Sequence, residues 1–524
     1  MRRVRAGPER GAGMKKILLA AAALLLALLC AACSGPMGGS VEELLEAPKL
    51  SQSQTLVMEE LNRYIGGSAK LQYPRRGEFL SPFVFKDING DGVDEAVVFY
   101  GDEGSESKNK YVRVALLAQE DGKWAVLWDE EGLGTEVEAV SFSSMYGPDT
   151  ATLIVGYASA NLKDKFLAVY TYKEDEHTMQ KVDERSYSEY ALADFTGSGT
   201  DDLVVLSSLT QPGPMEVSLL TVRDGELQPV TSLSLDSLLQ DCAGIYTSLS
   251  NGQFSLVVDG NTSGGTLASE QFYFDGRTGG LASMSTKLGA NIPNLSTRVG
   301  ASLRSRDVDE DGAVEIPVVL GNVSAFSTEQ RMQWVSFYDF AAIDEYQNNF
   351  EKEAVSPGRQ IPSVLPVPTG RGDSSGLNDS SDAAGSDISG AGETESEPQQ
   401  TPGPDSQGDA PQEEAAPTNE KVFGLADLSY GYYMRLPLSW KNRVAVERLG
   451  TRNWYLADAA SGETLLAVQI LGPEEELVSG GVRLGDAQEY TQVAAVGRYR
   501  IFVRIRPDTG IDEAEILAGV TVLS

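Results

Sequence analysis

Hydrophobic positions fall in short runs at 95–100, 111–117, 124–128, 151–157, 166–172, 203–207 and 254–258, separated by stretches rich in Gly, Asp, Asn and Ser. Runs of that length, rich in Val, Ile, Leu, Phe and Tyr and bounded by turn residues, predict β-strands. Ahead of them, Leu56, Met58, Leu61 and Ile65 approximate helical spacing within 41–65, which predicts one short leading helix. The body that follows is expected to be mainly β.

Three segments share one template: FKDINGDGVDEAVVFY from Phe85, LADFTGSGTDDLVVLS from Leu192 and SRDVDEDGAVEIPVVL from Ser305. Their first aspartates, Asp87, Asp194 and Asp307, lie 107 and 113 residues apart, which suits two structural units per interval. The midpoints, SFSSMYGPDTATLIVGY from Ser141 and TSLSNGQFSLVVDG from Thr247, repeat the strand, turn, strand pattern without the acidic residues. Repetition near about 55 residues predicts a β-propeller of about five to seven blades. A pair of stacked β-sandwiches is the competing architecture, because periodicity counts strands and does not show how they close.

The template also carries chemistry. Side chains at positions one, three, five and nine of a tight Gly-containing loop converge on one point, and hard oxygen ligands at such a point bind calcium. In the first copy these are Asp87, Asn89, Asp91 and Glu95, with the carbonyl of Val93 at position seven and Gly92 permitting the turn. The third copy offers Asp307, Asp309, Asp311 and Glu315, with the carbonyl of Ala313. In the middle copy Asp194, Thr196, Ser198 and Asp202 stand in the same places, so hydroxyls replace two ligands and a weak or empty site is expected. The plainer reading is that these are solvated turns of the Asp/Asn/Gly kind with no metal. An EF-hand would need a bidentate Glu at position twelve and a following helix, but Val98 and Val318 stand there inside β runs. The loops resemble the FG-GAP or VCBS repeat, whose DxNGDGxxD loop joins two strands of a propeller blade; the flanking FG and GAP words are absent. That resemblance implies structural calcium and faces used for adhesion or ligand recognition.

At the N-terminus, Lys15 and Lys16 precede an apolar run over 17–30 that ends in Ala31-Ala32-Cys33, the pattern of an export signal rather than a membrane span. The small residues before Cys33 resemble a bacterial lipobox, which implies lipidation of Cys33 and a membrane anchor on the extracytoplasmic face. Met14 is an alternative start to Met1. The text around 45–100 is also similar to uncharacterised lipoproteins of clostridial-type bacteria. The expected organisation is a signal peptide over 1–33, a tether and short helix over 34–75, and the propeller over 76–354. A disordered acidic linker over 355–420 follows, then a separate small α+β domain over 421–524. The linker text is rich in Pro, Gly, Ser, Asp and Glu and too poor in apolar residues to offset its ordering entropy. Within it, Arg371-Gly372-Asp373 invites an adhesion reading but is a short match in a biased tract. In the last segment, YGYYMRLPLSW from Tyr430 resembles the opening of PsbP-like domains, with strands expected at 432–436, 444–448, 453–456, 465–470 and 499–505 and helices at 486–496 and 511–517.

Charge and residue counts narrow the function. A formal net charge of -34 repels phosphate backbones, so no nucleic-acid partner is expected and cations are the natural counterpart. Of 3 cysteines two sit in the leader, leaving Cys242 as a lone, structural thiol. The single histidine, His177, lies in the charged turn KEDEHTMQ, which argues against His-based triads, bases and metal clusters. No P-loop or HExxH sequence occurs; the one GxSxG match, at 372–376, falls in the linker tract, and the one CxxC match, at 30–33, in the leader. The expectation is a non-enzymatic binding or scaffold module for an extracellular protein or polysaccharide. The alternative is a polysaccharide-active hydrolase or lyase using a carboxylate pair about 5 to 9 Å apart in a cleft.

Overall fold

Ser51 sets the first element. Its hydroxyl accepts the Gln54 N–H while the Gln54 side chain accepts the Ser51 N–H, a capping box that opens α1 (Gln52–Ile65). Gly66, at φ 65°, ends it in the left-handed conformation that glycine adopts without strain. The computed structural model describes residues 50–102, 110–162, 164–208, 215–299, 303–329, 331–342, 420–475, 490–506 and 513–523. Cys33, the signal segment and residues 355–419 of the expected linker, with its Arg-Gly-Asp triplet, lie outside them.

Antiparallel sheets then succeed one another along the chain. The first holds β1 (Ala69–Leu71), β2 (Phe83–Lys86), β3 (Glu95–Asp102), β4 (Arg113–Glu120) and β5 (Lys123–Glu131), with β1 and β2 pairing different ends of β3. The second is β6 (Glu136–Ser143), β7 (Thr152–Ala158), β8 (Lys165–Lys173) and β9 (Thr178–Ser186). The third is β10 (Glu189–Ala193), β11 (Asp202–Ser208), β12 (Met215–Arg223) and β13 (Glu226–Ser234). The fourth is β14 (Leu239–Ser250), β15 (Gln253–Thr262), β16 (Leu267–Asp275) and β17 (Gly280–Ser283), trailed by the short helices α2 (Met284–Leu288) and α3 (Ile292–Leu295). The fifth begins with β18 (Ile316–Asn322) and β19 (Met332–Tyr338) and continues with β20 (Glu420–Asp427) and β21 (Tyr432–Leu436). The sixth comprises β22 (Val444–Arg448), β23 (Asn453–Asp458), β24 (Thr464–Leu471), β25 (Thr491–Val496) and β26 (Tyr499–Ile505). After α4 (Glu513–Ala518), β27 (Val520–Val522) returns to the fifth sheet beside β21.

Each sheet packs an apolar face on the next. Val97, Phe99 and Leu116 meet Leu153 and Val155. Ile154, Leu167 and Val169 meet Leu203, Val205 and Leu220, and Val204, Leu206 and Leu219 meet Leu256, Val258 and Phe272. Val257 and Tyr273 meet Val314 and Ile316, and Trp334, Phe423 and Met434 meet Trp454, Leu456 and Val468. A strand covered on both faces has no solvent side to alternate toward, and this is why β7 reads TLIVGYA, apolar from Leu153 to Val155 without alternation, and is buried throughout. The face of the first sheet turned away from the second is covered by Val57 and Leu61 of α1. The result is a mainly β, propeller-like succession of six blades among the described residues, within the range expected from the repeats.

The chain after residue 420 corrects the expected organisation. It is not a separate α+β unit: β20 pairs with β19 from Met332↔Asp427 to Tyr338↔Glu420, so the post-linker residues complete the fifth blade before building the sixth. The physical reason is an open edge. β18 and β19 alone would leave the far edge of β19 unpaired and Trp334 uncovered, whereas Phe423 stacks on Trp334 at 5.3 Å between centroids. The helix expected at 486–496 is also corrected over its described residues, because Thr491–Val496 is a strand paired to β26 around a turn at Gly497, φ 55°. Its alanines suggested helix, but the hairpin partner Tyr499–Ile505 decides the local structure. Trp440 and Trp454 are buried in the core between the fifth and sixth blades and are not ligand platforms.

Candidate metal centre

The three acidic loops occupy equivalent places. The first joins β2 to β3, the second joins β10 to β11, and the third runs from the Arg306↔Glu315 bridge into β18. They therefore mark the first, third and fifth blades, as two units per repeat interval require. Val98 and Val318 lie within β3 and β18, so no EF-hand helix follows.

A shared hydrogen-bond pattern folds the loops from their own side chains. The aspartate at position one accepts two loop N–H groups: Gly90 and Gly92 for Asp87, Ser198 and Gly199 for Asp194, Glu310 and Gly312 for Asp307, at 2.6–2.9 Å. The carboxylate at position nine reaches back to the start of the loop, where Glu95 accepts Ile88 N–H, Asp202 accepts Thr196 N–H and Glu315 accepts Val308 N–H, at 2.7–2.9 Å. Gly90 and Gly92 sit at φ 79° and 87°. A Cβ on Gly90 would collide with the Asp149 carbonyl of the second blade, while one on Gly92 would meet nothing. Gly90→Ala is accordingly expected to lower stability by about 2 to 3 kcal/mol and Gly92→Ala by only about 1 kcal/mol, read from urea unfolding midpoints.

The loops differ where a ligand would sit. Glu95, Asp202 and Glu315 are all buried, and burial raises the carboxyl pKa of each; for Glu315 the value is pushed up to about 8, with Asp309, Asp311 and Asp339 adding to the effect. In the first loop the Asn89 amide donates to Glu95 Oε1 at 3.3 Å and to Asp91 Oδ2 at 3.1 Å, so this end is partly satisfied. In the middle loop Asp202 Oδ1 and Thr196 Oγ1 are buried without a hydrogen-bond partner, but Asp194 is the one other carboxylate of its set. In the third loop Glu315 is fully buried, its Oε1 has no partner, and Asp307, Asp309 and Glu315 bring carboxylate oxygens within 4.8 Å of one another. A buried carboxylate oxygen with no donor beside two further carboxylates fits a hard divalent cation. Asp311 stands apart from that trio: its Oδ1 accepts Ala313 N–H at 2.8 Å and its Oδ2 accepts the Lys421 ammonium at 2.8 Å. Burial works against ionisation of Asp311, yet Lys421 outweighs it and its pKa is lowered. Lys421, more than a hundred residues downstream, is the site residue that reading the template did not find.

Other expectations map as follows. His177 is exposed at φ 50° in the β8–β9 turn, its Nδ1 3.3 Å from the Tyr172 hydroxyl. The Cys242 thiol is pushed up to about 12, chiefly by burial, and is unreactive there. The carboxylates Glu138 and Glu189 face each other between blades, but Arg76 binds both, at 2.9 and 2.7 Å, and Lys165 lies 3.1 and 3.7 Å from them. Both carboxylates are thus ion-paired, binding the first three blades together.

No family model and no curated protein matches the sequence. Among solved structures, the chain is similar to Bacillus licheniformis rhamnogalacturonan lyase PL11 at 13% identity and TM-score 0.26, over 52% of this chain and 68% of that one. It is similar to rhamnogalacturonan lyase YesW at 14% identity and TM-score 0.29, over 52% of each. Saccharomyces cerevisiae Sqt1 aligns at 10% identity and TM-score 0.25, over 83% of this chain and 96% of that one. Likeness at this level bears on neither activity nor ligand.

Proposed function

We propose that the protein is an extracytoplasmic lipoprotein, anchored through Cys33, whose blades form a calcium-stabilised binding or scaffold module for an extracellular protein or polysaccharide. The observation that carries the calcium part is the third loop, where the unpartnered, buried Glu315 oxygen lies with Asp307 and Asp309. The reading of the acidic loops as an FG-GAP or VCBS-like device draws on their place between adjacent strands of one blade. Exported proteins meet calcium near about millimolar, where a site with a dissociation constant of about 0.1 mM would add about 1.4 kcal/mol of stability by mass action.

Calorimetric titration of the purified full chain tests this. Calcium is expected to bind in the range of about 0.01 to 1 mM, with one equivalent lost in Asp307→Ala and another in Asp87→Ala. The middle loop is expected to add no equivalent of comparable affinity. No heat and no rise in melting temperature at about millimolar calcium would overturn the reading. A fragment ending near residue 350 is unsuitable, since it lacks the strands that complete the fifth blade.

A further inference from the structure

We propose that Lys421 is a built-in monovalent counter-ion for the third loop, which a divalent cation must displace, so that occupancy of this loop is set by the segment that follows the linker. The proposal rests on reading the loop as a calcium site. Lys421 Nζ lies 2.8 Å from Asp311 Oδ2 and 3.9 Å from Asp309 Oδ2, so it engages two of the four acidic positions of the template. It reaches them because of a bulge: β20 pairs Val422 with Phe337 and Glu420 with Tyr338, leaving Lys421 as the extra residue without an opposite partner. Bulges re-aim a side chain out of the regular alternation. Its neighbours fix the backbone on either side. Glu420 is held by Lys441 at 2.6 Å, and Val422 is buried in the core with Phe337 and Tyr433.

Comparison of the loops gives the reason for a lysine here. At the template positions the first loop carries three carboxylates and Asn89, whereas the third carries Asp309 at the position of Asn89 and so has four. Lys421 offsets the charge of that additional carboxylate. Among the described residues no Lys or Arg ion pair reaches the carboxylates of the first loop, which serves as an internal control. A hard cation on the Asp307, Asp309 and Glu315 trio would share Asp309 with Lys421, and drawing in Asp311 as the template requires would break its ion pair, since two cations cannot hold the same oxygens without repulsion.

The test is calcium titration of the full chain, in a background of Asp91→Asn that silences the first loop, comparing Lys421 with Lys421→Met and Lys421→Gln. Removing the ammonium is expected to tighten the third loop about five- to tenfold, in keeping with a partly exposed ion pair, and to make its affinity less sensitive to salt. The Asp309→Asn variant should lose the benefit of Lys421→Met. With Asp91 restored, Lys421→Met should leave the first loop unchanged. Two folded Lys421 variants with unaltered third-loop affinity would overturn the displacement while leaving the calcium reading intact. Absence of binding in every variant, the parent included, would overturn both.

Discussion

Replacing Arg331 with alanine is expected to remove about 3 to 5 kcal/mol of stability, among the largest effects of any single change in this chain. Its guanidinium donates to Asp427 Oδ1 at 3.0 Å and Oδ2 at 2.6 Å, and the two side chains are 3% and 0% exposed. It also lies over the rings of Phe326 and Tyr430 at 4.8 and 4.5 Å and donates to the Thr451 carbonyl. One side chain before the linker thereby holds β20 and the start of the sixth blade after it. Removing it strands the Asp427 carboxylate in the core, where desolvation is uncompensated. The double variant Arg331→Met with Asp427→Leu should recover most of the loss, because no charge is left unpaired. Urea unfolding would check both, and an unshifted midpoint in Arg331→Ala would contradict this account of how the two parts are joined.

The second large effect is a dependence on pH that calcium reverses. With divalent ions chelated, the folded Glu315 carboxyl titrates at about 8, against 4.5 when freely solvated. Below about pH 4.5 both folded and unfolded chains carry the proton, and no difference arises. Between that pH and about 8 the folded chain keeps a proton that the unfolded chain has released, so stability falls as pH rises through this window, by about 2 to 4 kcal/mol in total. Above about 8 the loss levels off. A bound cation needs the ionised carboxylate, so calcium should stabilise more as pH rises and flatten the profile. Melting temperatures from about pH 5 to about pH 9, with calcium and with chelator, would reveal this, and Glu315→Gln should flatten the chelated profile and abolish the calcium response of the third loop. A chelated profile without the downward slope would refute the role given to Glu315.

Much of this was legible in the residues. The strand positions followed from short apolar runs: 432–436, 444–448 and 499–505 coincide with β21, β22 and β26. The repeat of the Asp87, Asp194 and Asp307 loops placed them on alternate blades because each loop is built by its own side chains, which makes it a local signal. What escaped was non-local. Composition alone put a boundary at 420, since a polar tract reads as a divider whether it separates two bodies or interrupts one sheet. Lys421 escaped for the same reason, as nothing near it in sequence predicts a bulge that turns it toward Asp311. The bare oxygen of Glu315 was likewise invisible, because Glu95 holds the same template position and is capped by Asn89.

The register of β19 against β20 has a consequence for the stretch between them. Residues 338 and 420 stand opposite one another, and the chain stays packed through Ala342, so the stretch between 342 and 420 begins and ends beside one blade. It is an excursion rather than a spacer. Halving or doubling its length changes the closure entropy by only about 0.6 kcal/mol, and the body should tolerate either. Such a stretch cannot carry the C-terminal residues away toward a distant target, because strands on both sides of it are hydrogen-bonded to each other in one blade.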